Sequence, residues 1–216
     1  MTLPHLVYSR AEERARWSEA DDRELLAALR DDQEAAFDAL IERKAEGLTR
    51  HAVRMVGDAE EARDIVQLTF LRVWLHRRRY SARWSPNTWL YRIATNLAID
   101  HLRSRRGRDA QREPFRSHLH AVVESRRNAA LAELDRTDVA NVLAELAGGL
   151  SERQRAAFLL REMEGLSSPE VARVLGCTES TVRNHLFTAR KHLRRELLRR
   201  FPEYAAGRVD PEGEGG

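Results

Sequence analysis

Leu166 to Lys191 read LSSPEVARVLGCTESTVRNHLFTARK, and this stretch decides the fold. Ser168 stands where a helix cap belongs, and Pro169 opens the helix, since the first turn needs no donor from it. Val171, Ala172 and Leu175 then recur on one face. Gly176 permits a tight turn, and Thr178 caps a second helix whose Val182, Leu186, Ala189 and Leu193 face inward. A short helix, a glycine turn and a capped second helix make a helix-turn-helix. In that geometry the outward residues at the start of the second helix enter the major groove of DNA. Here they are Glu179, Ser180, Thr181, Arg183, Asn184 and Phe187, while Arg190, Lys191, Arg194 and Arg195 continue toward the phosphates. An αα-hairpin in a plain bundle would share the cap and the turn. The basic outer face is what favours nucleic acid.

Charge along the chain supports that reading. The formal net charge of the 216 residues is only +3, but it is unevenly spread. Residues 183–200 hold seven bases against one acid, whereas residues 19–34 hold seven acids against two bases. The asymmetry points to a phosphate-facing surface at one end and a different partner at the other. Lysine occurs only as Lys44 and Lys191, so arginine carries nearly all the positive charge. That bias suits bidentate contacts to phosphate and guanine, and equally a GC-rich genome.

Upstream, the 3.6-residue period recurs and strand-like alternation is absent, which predicts an all-α chain. Residues 1–20 read as a flexible leader. A short helix is expected from Asp21 on Leu25, Leu26 and Leu29, and a second on Phe37, Leu40, Ile41, Leu48, Ala52 and Met55, ending near Gly57. Asp58 is placed to cap a third, followed by Glu60 and Glu61 at its positive end. Its stripe Ala62, Ile65, Val66, Thr69, Phe70, Val73 and Trp74 makes one buried face. After the basic run His76 to Arg79 and the loop Tyr80 to Ser85, Ser85 can cap a helix opened by Pro86. That helix turns Trp89, Leu90, Ile93, Leu97 and Leu102 inward. Periodicity then dissolves, and residues 107–128 read as a linker. Helical signal returns at Ala129 and stops at Gly148-Gly149. Ser151 and Gln154 form a capping-box pattern for a helix running to Gly165. The expected organisation is two small helical domains, residues 21–106 and 129–201, joined by a linker, the second carrying the helix-turn-helix. A flexible tail, 202–216, follows.

From Asp22 to Arg200 the chain resembles the bacterial RNA polymerase sigma factors of the extracytoplasmic-function type. Four stretches carry the likeness in the right order: Asp31 to Phe37, Asp58 to Phe70, Trp89 to Asp100, and Arg153 onward through the helix-turn-helix. Leu68, after Gln67, departs from the acid that usually follows this glutamine. The resemblance implies a subunit that gives core RNA polymerase its promoter specificity. It implies that Asp58, Glu61, Asp64, Gln67, Leu68 and Leu71 dock on the clamp of the largest polymerase subunit. It also implies that the flap is a further contact and an anti-sigma factor a candidate antagonist. A flipped-base pocket is expected around Arg83 to Thr88, before the promoter-melting helix. Residue chemistry agrees, because unstacked bases need stacking surfaces and hydroxyl or amide groups beside positive charge. Trp84, Asn87, Thr88, Arg92, Thr95, Asn96 and Arg103 supply these for a minus-ten element, with Trp84 the better stacking candidate than Trp89. Ser180, Thr181, Arg183, Asn184, Phe187, Arg190 and Lys191 would meet a minus-35 element.

Other classes are disfavoured. The chain lacks a P-loop glycine pattern, a His-Glu-x-x-His segment and a nucleophile elbow, so no enzyme is expected. His118 and His120 are read as solvated, and the single Cys177 as a small buried residue, so neither a metal nor another cofactor is expected. No apolar run reaches membrane length and the N-terminus lacks a signal-peptide pattern, so the expectation is a cytoplasmic protein without membrane insertion. An autonomous helix-turn-helix regulator is the alternative, though it would need neither the melting segment nor the docking helix.

Overall fold

The computed structural model describes residues 15–110 and 146–202. Within them every regular element is helical. The N-terminal domain contains α1 (Asp22–Arg30), α2 (Glu34–Val56), α3 (Ala59–Leu75) and α4 (Pro86–Ala110), with a 3₁₀ turn at Arg77–Arg79. The C-terminal domain contains a 3₁₀ turn at Ala147–Gly149, α5 (Glu152–Phe158), a π turn at Leu159–Met163, α6 (Ser168–Leu175) and α7 (Glu179–Arg200). The expected linker beyond residue 110, the helix from Ala129, the leader before residue 15 and the tail after residue 202 lie outside the described residues.

Caps set most of these boundaries. Asp21 accepts from the backbone of Arg23 and Glu24 at 2.8 Å each, and Glu24 returns a carboxylate to the Asp21 N–H at 2.9 Å. Asp58 accepts from Glu60 and Glu61 at the start of α3, both at 2.9 Å. The Ser151–Gln154 box opens α5. Between α1 and α2 the chain turns at Asp32, whose φ of 61° is left-handed. Its carboxylate takes Arg77 at 2.5 Å and Arg78 at 2.9 Å, tying this turn to the basic 3₁₀ turn after α3. Those guanidinium bonds hold the Asp32 carboxyl below its ordinary range.

The N-terminal core is built on Leu25, Leu26, Leu29, Leu40, Leu48, Met55, Val73 and Leu90. Each such side chain contributes roughly 1.5–3 kcal/mol by leaving water. Phe37 closes one end against Phe70 and Trp74, with ring centroids 6.3 and 5.2 Å away. The last residues read as leader are ordered into the fold. Residues 15–19 are helical, Trp17 is buried, and Arg43 fastens this turn by donating to the Ser18 and Ala20 carbonyls at 2.9 and 2.7 Å. At the other edge, α4 continues past Arg106 to Ala110.

The two domains pack on each other, with α6 lying against α4. Arg155 of α5 donates to the Met55 carbonyl at the end of α2 at 2.7 Å, across the same boundary.

Candidate nucleic-acid and polymerase interfaces

The helix-turn-helix forms as expected except at its first cap. Ser167, not Ser168, precedes the first turn of α6, and Glu170 accepts from its N–H at 2.9 Å and its hydroxyl at 2.7 Å. Pro169 fits the second helical position equally well, because the donors of that turn have no intrahelical partner. Gly176 is left-handed at φ 61°, a conformation that costs a residue bearing Cβ. Thr178 then accepts from the Thr181 N–H at 3.2 Å.

Burial of Val182, Leu186, Ala189 and Leu193 fixes which face of α7 looks out. Ser180, Arg183, Asn184, Phe187, Arg190 and Lys191 are exposed there, and Thr181 is half-buried. Phe187, 70% exposed, sits in a groove with Leu186 and Leu198 among Arg183, Arg190, Lys191, Arg194 and Arg195. Arg190 is engaged with Glu162 at 2.6 Å. The hydroxyls of Ser180 and Thr181 bond the Thr178 cap at 2.8 and 2.9 Å, so the least encumbered polar side chains at this end are Arg183 and Asn184.

Around the start of α4 the residues divide. Ser85 accepts from the Thr88 N–H at 3.2 Å, as a cap before Pro86 should. Trp84 is half-buried, with the Arg92 guanidinium 4.8 Å above its ring. Trp89 packs on buried Tyr80 at 5.2 Å, and the Tyr80 hydroxyl donates to the Trp84 carbonyl, bracing the loop. Asn87, Arg92 and Arg103 are exposed, and Asn96 is half-buried. Asn87 accepts from Lys44 at 3.0 Å. Thr88 and Thr95 are fully buried, so neither presents a hydroxyl to a base in this arrangement. Thr95 pairs with buried His51 at 3.0 Å, and Thr88 donates to Glu170 of α6 at 2.8 Å. Both threonines face inward because they share a stripe with Tyr91, at spacings of three and four residues.

On α3, Asp58 is spent on capping and Glu61 pairs with Arg105 of α4 at 3.2 Å, which leaves both less available than the sequence suggests. Asp64 and Gln67 are exposed. Beside them Leu68, Leu71 and Leu75 are 46, 51 and 62% exposed, an apolar ridge on an otherwise well-packed helix. Leu75 was not among the expected docking residues, although its spacing of seven from Leu68 extends the same line.

Two further residues escape a sequence reading altogether. Glu164 receives the Tyr91 hydroxyl at 2.5 Å, with His51 Nδ1 at 3.5 Å and Arg54 at 3.8 Å. Burial raises its pKa, but His51, Tyr91 and Arg54 outweigh that and hold the carboxyl below its ordinary value. Burial and the same bond push the Tyr91 phenol up. Glu170 accepts from Ser85 at 3.0 Å as well as from Thr88. The Ser167 backbone N–H is the chief cause that lowers its pKa to about 2, with the hydroxyls of Ser167, Thr88 and Ser85 adding to it against partial burial.

These features define a two-domain helical protein with a helix-turn-helix and a separate exposed apolar ridge. Residues 40–108 match the family model "Sigma-70 region 2", and residues 140–193 match "Sigma-70, region 4". The RNA polymerase sigma-H factor of Pseudomonas aeruginosa is 32% identical over 188 residues, covering 83% of this chain and 95% of that protein. The ECF RNA polymerase sigma factor SigL of Mycobacterium tuberculosis is 35% identical over 164 residues, covering 76% and 89%. Among solved structures, CnrH in complex with the cytosolic domain of CnrY aligns with a TM-score of 0.61 at 26% identity, over 82% of this chain and 96% of that one. The sigma factor RpoE of Bartonella quintana, in complex with the anti-sigma factor NepR, shares the fold at a TM-score of 0.57 and 21% identity, over 74% and 96%. The chain belongs to the sigma-70 family of RNA polymerase sigma factors, within its extracytoplasmic-function group. Such proteins are transcription initiation factors and not enzymes in themselves. No helix among the described residues is long and apolar enough to cross a membrane.

Proposed function

We propose that this chain docks on core RNA polymerase and directs it to promoters by reading two DNA elements, helping to melt the one nearer the start site. The observation that carries this is the ridge of Leu68, Leu71 and Leu75 beside Asp64 and Gln67 on α3. Large apolar side chains lined up on one exposed helix face mark a protein contact. The ridge stands on the domain that also holds the Trp84–Arg92 stack, and the basic face of α7 is a separate duplex-reading surface. The clamp of the largest subunit is the partner for α3, the flap a further polymerase contact, and promoter DNA the partner for α4 and α7. Opening single strands falls to the loop and outer face of α4, where Trp84, Asn87, Arg92, Asn96 and Arg103 combine stacking, amide and charge. The protein works where core polymerase is, in the cytoplasm. Because one structural neighbour is described in complex with an anti-sigma factor, a protein antagonist belongs to this reading.

Transcription with purified core polymerase tests the proposal. Promoter-dependent initiation is expected only when both are present, with weak or no specific duplex binding by the chain alone. Nanomolar specific binding by the isolated chain, with no effect on core polymerase, would identify an autonomous helix-turn-helix regulator instead.

A further inference from the structure

We infer that Lys44 fixes the hydrogen-bonding sense of Asn87, so that the first turn of α4 selects a base bearing a carbonyl, thymine or guanine, at one position of the minus-ten element. The inference deepens the proposed reading of α4 and rests on it. The Lys44 ammonium donates to Asn87 Oδ1 at 3.0 Å. It also pairs with Asp22 at the start of α1, and its side chain is only 18% exposed. Asp22 is held in turn by Arg43 at 3.2 Å. An ammonium carries three donors and no acceptor. It therefore keeps the carbonyl end of the Asn87 amide toward itself. The reverse orientation would set NH2 against ammonium, donor against donor, and would take a partner from a cation largely removed from water.

What Asn87 offers outward follows from that bond. The residue is exposed, and with its oxygen turned to Lys44 its NH2 group points away from the ammonium. Trp84, three residues earlier in the loop, supplies a ring with Arg92 stacked at 4.8 Å. Such a ring accepts any unpaired base, because every base has a π face. Discrimination must then come from a group that meets the base edge. A group that only donates can bond O4 of thymine or O6 of guanine, and it meets a second donor at N4 of cytosine or N6 of adenine. An asparagine free to turn its amide over would satisfy either kind and select neither. Lys44 is thus a positioning residue, and Asn87 is the reader that it orients.

The test is transcription by the full chain with core polymerase, from promoters randomised across the minus-ten element. Base preferences are normalised to each variant's own total, so a general loss of activity drops out. Asn87→Ala should level one position, at which wild type favours thymine and guanine over cytosine and adenine by about threefold to tenfold, the worth of one hydrogen bond. Asn87→Asp, whose carboxylate only accepts, should invert the preference there toward cytosine and adenine. Both changes fall on an exposed side chain and leave the core intact. Lys44→Met should level the same position with Asn87 still present, and Lys44→Arg, which restores a donor, should bring the preference back. Asp22 keeps Arg43 as a partner in the methionine variant. Profiles of Asn87→Ala and Asn87→Asp identical to wild type overturn the inference, as does a wild-type preference for cytosine or adenine at the position they alter. A position levelled by Asn87→Ala and untouched by Lys44→Met overturns the role of Lys44. Should Lys44→Met misfold, Asn87→Asp decides alone, since inversion supports the fixed donor and its absence refutes it. A wild type that fails to initiate defeats the proposed function itself, whereas one that initiates with unaltered Asn87 profiles defeats only this inference.

Discussion

At the level of single residues, the proposed function makes the outer face of α7 separate readers of bases from holders of phosphates. Arg183 and Asn184 are exposed at its N-terminal end and have no competing ion pair described. A good bidentate contact discriminates between bases by about 1–3 kcal/mol. Arg183→Ala or Asn184→Ala should therefore change which bases are preferred in the upstream element, measured by transcription from a library randomised there. Unaltered profiles for both would remove α7 as the reader. Thr95 carries the opposite expectation. Its hydroxyl bonds buried His51, so Thr95→Val leaves an imidazole nitrogen unpaired and should cost about 1–3 kcal/mol of stability. Urea unfolding checks this. A variant as stable as wild type would mean that the pair contributes little. The sequence suggested an α4 hydroxyl for DNA and did not reveal its partner, because His51 lies 44 positions away and only the packing of α2 on α4 brings it near.

Among the elements, α3 offers the sharpest contrast between two faces of one helix. Leu71→Asp changes only the exposed ridge and should weaken core-polymerase binding on the order of tenfold, about 1.4 kcal/mol. Ile65→Asp puts an unpaired charge into the core and should cost roughly 3–5 kcal/mol of stability. Binding assays paired with thermal melts distinguish them. Equal loss of stability in both variants would erase the two-face assignment. Helix existence and inward faces were legible in the sequence, since the period of Val182, Leu186, Ala189 and Leu193 and the caps at Asp58, Ser151 and Thr178 are local signals. The cap of α6 was misread by one position, because Ser167 and Ser168 are adjacent and the deciding partner, Glu170, also serves α4. The order of residues 15–19 was hidden for a similar reason. Trp17 is a lone aromatic in a polar stretch, and what fixes it is Arg43 on another helix.

For the molecule as a whole, stability ought to depend on pH through two of its groups. The Glu170 pKa is lowered from 4.5 to about 2, so its contribution is complete above pH 4.5 and is lost as pH falls toward about 2. Ser85, Thr88 and Ser167 face it. The Tyr91 pKa is raised from 10.0, so its contribution is complete below pH 10.0 and is lost as pH rises beyond it. Glu164, Arg50 and Arg54 act on it electrostatically. The free energy of urea unfolding should accordingly hold between these limits and fall outside them, and Tyr91→Phe should remove the alkaline fall. A Tyr91→Phe curve identical to wild type at high pH would exclude the phenol as the titrating group. The domain arrangement was not legible in the sequence, since nothing local marks Glu164 as a residue that reaches another domain. Its position depends on the π turn at Leu159–Met163, where the Glu164 N–H bonds the Leu159 carbonyl five residues back. A π turn holds one residue more than the α-helix it interrupts. A relative lacking that residue would keep its recognition helix and rotate this glutamate by about 100° away from Tyr91. One codon, gained or lost, is thus enough to make or break the tie between the two domains at this glutamate.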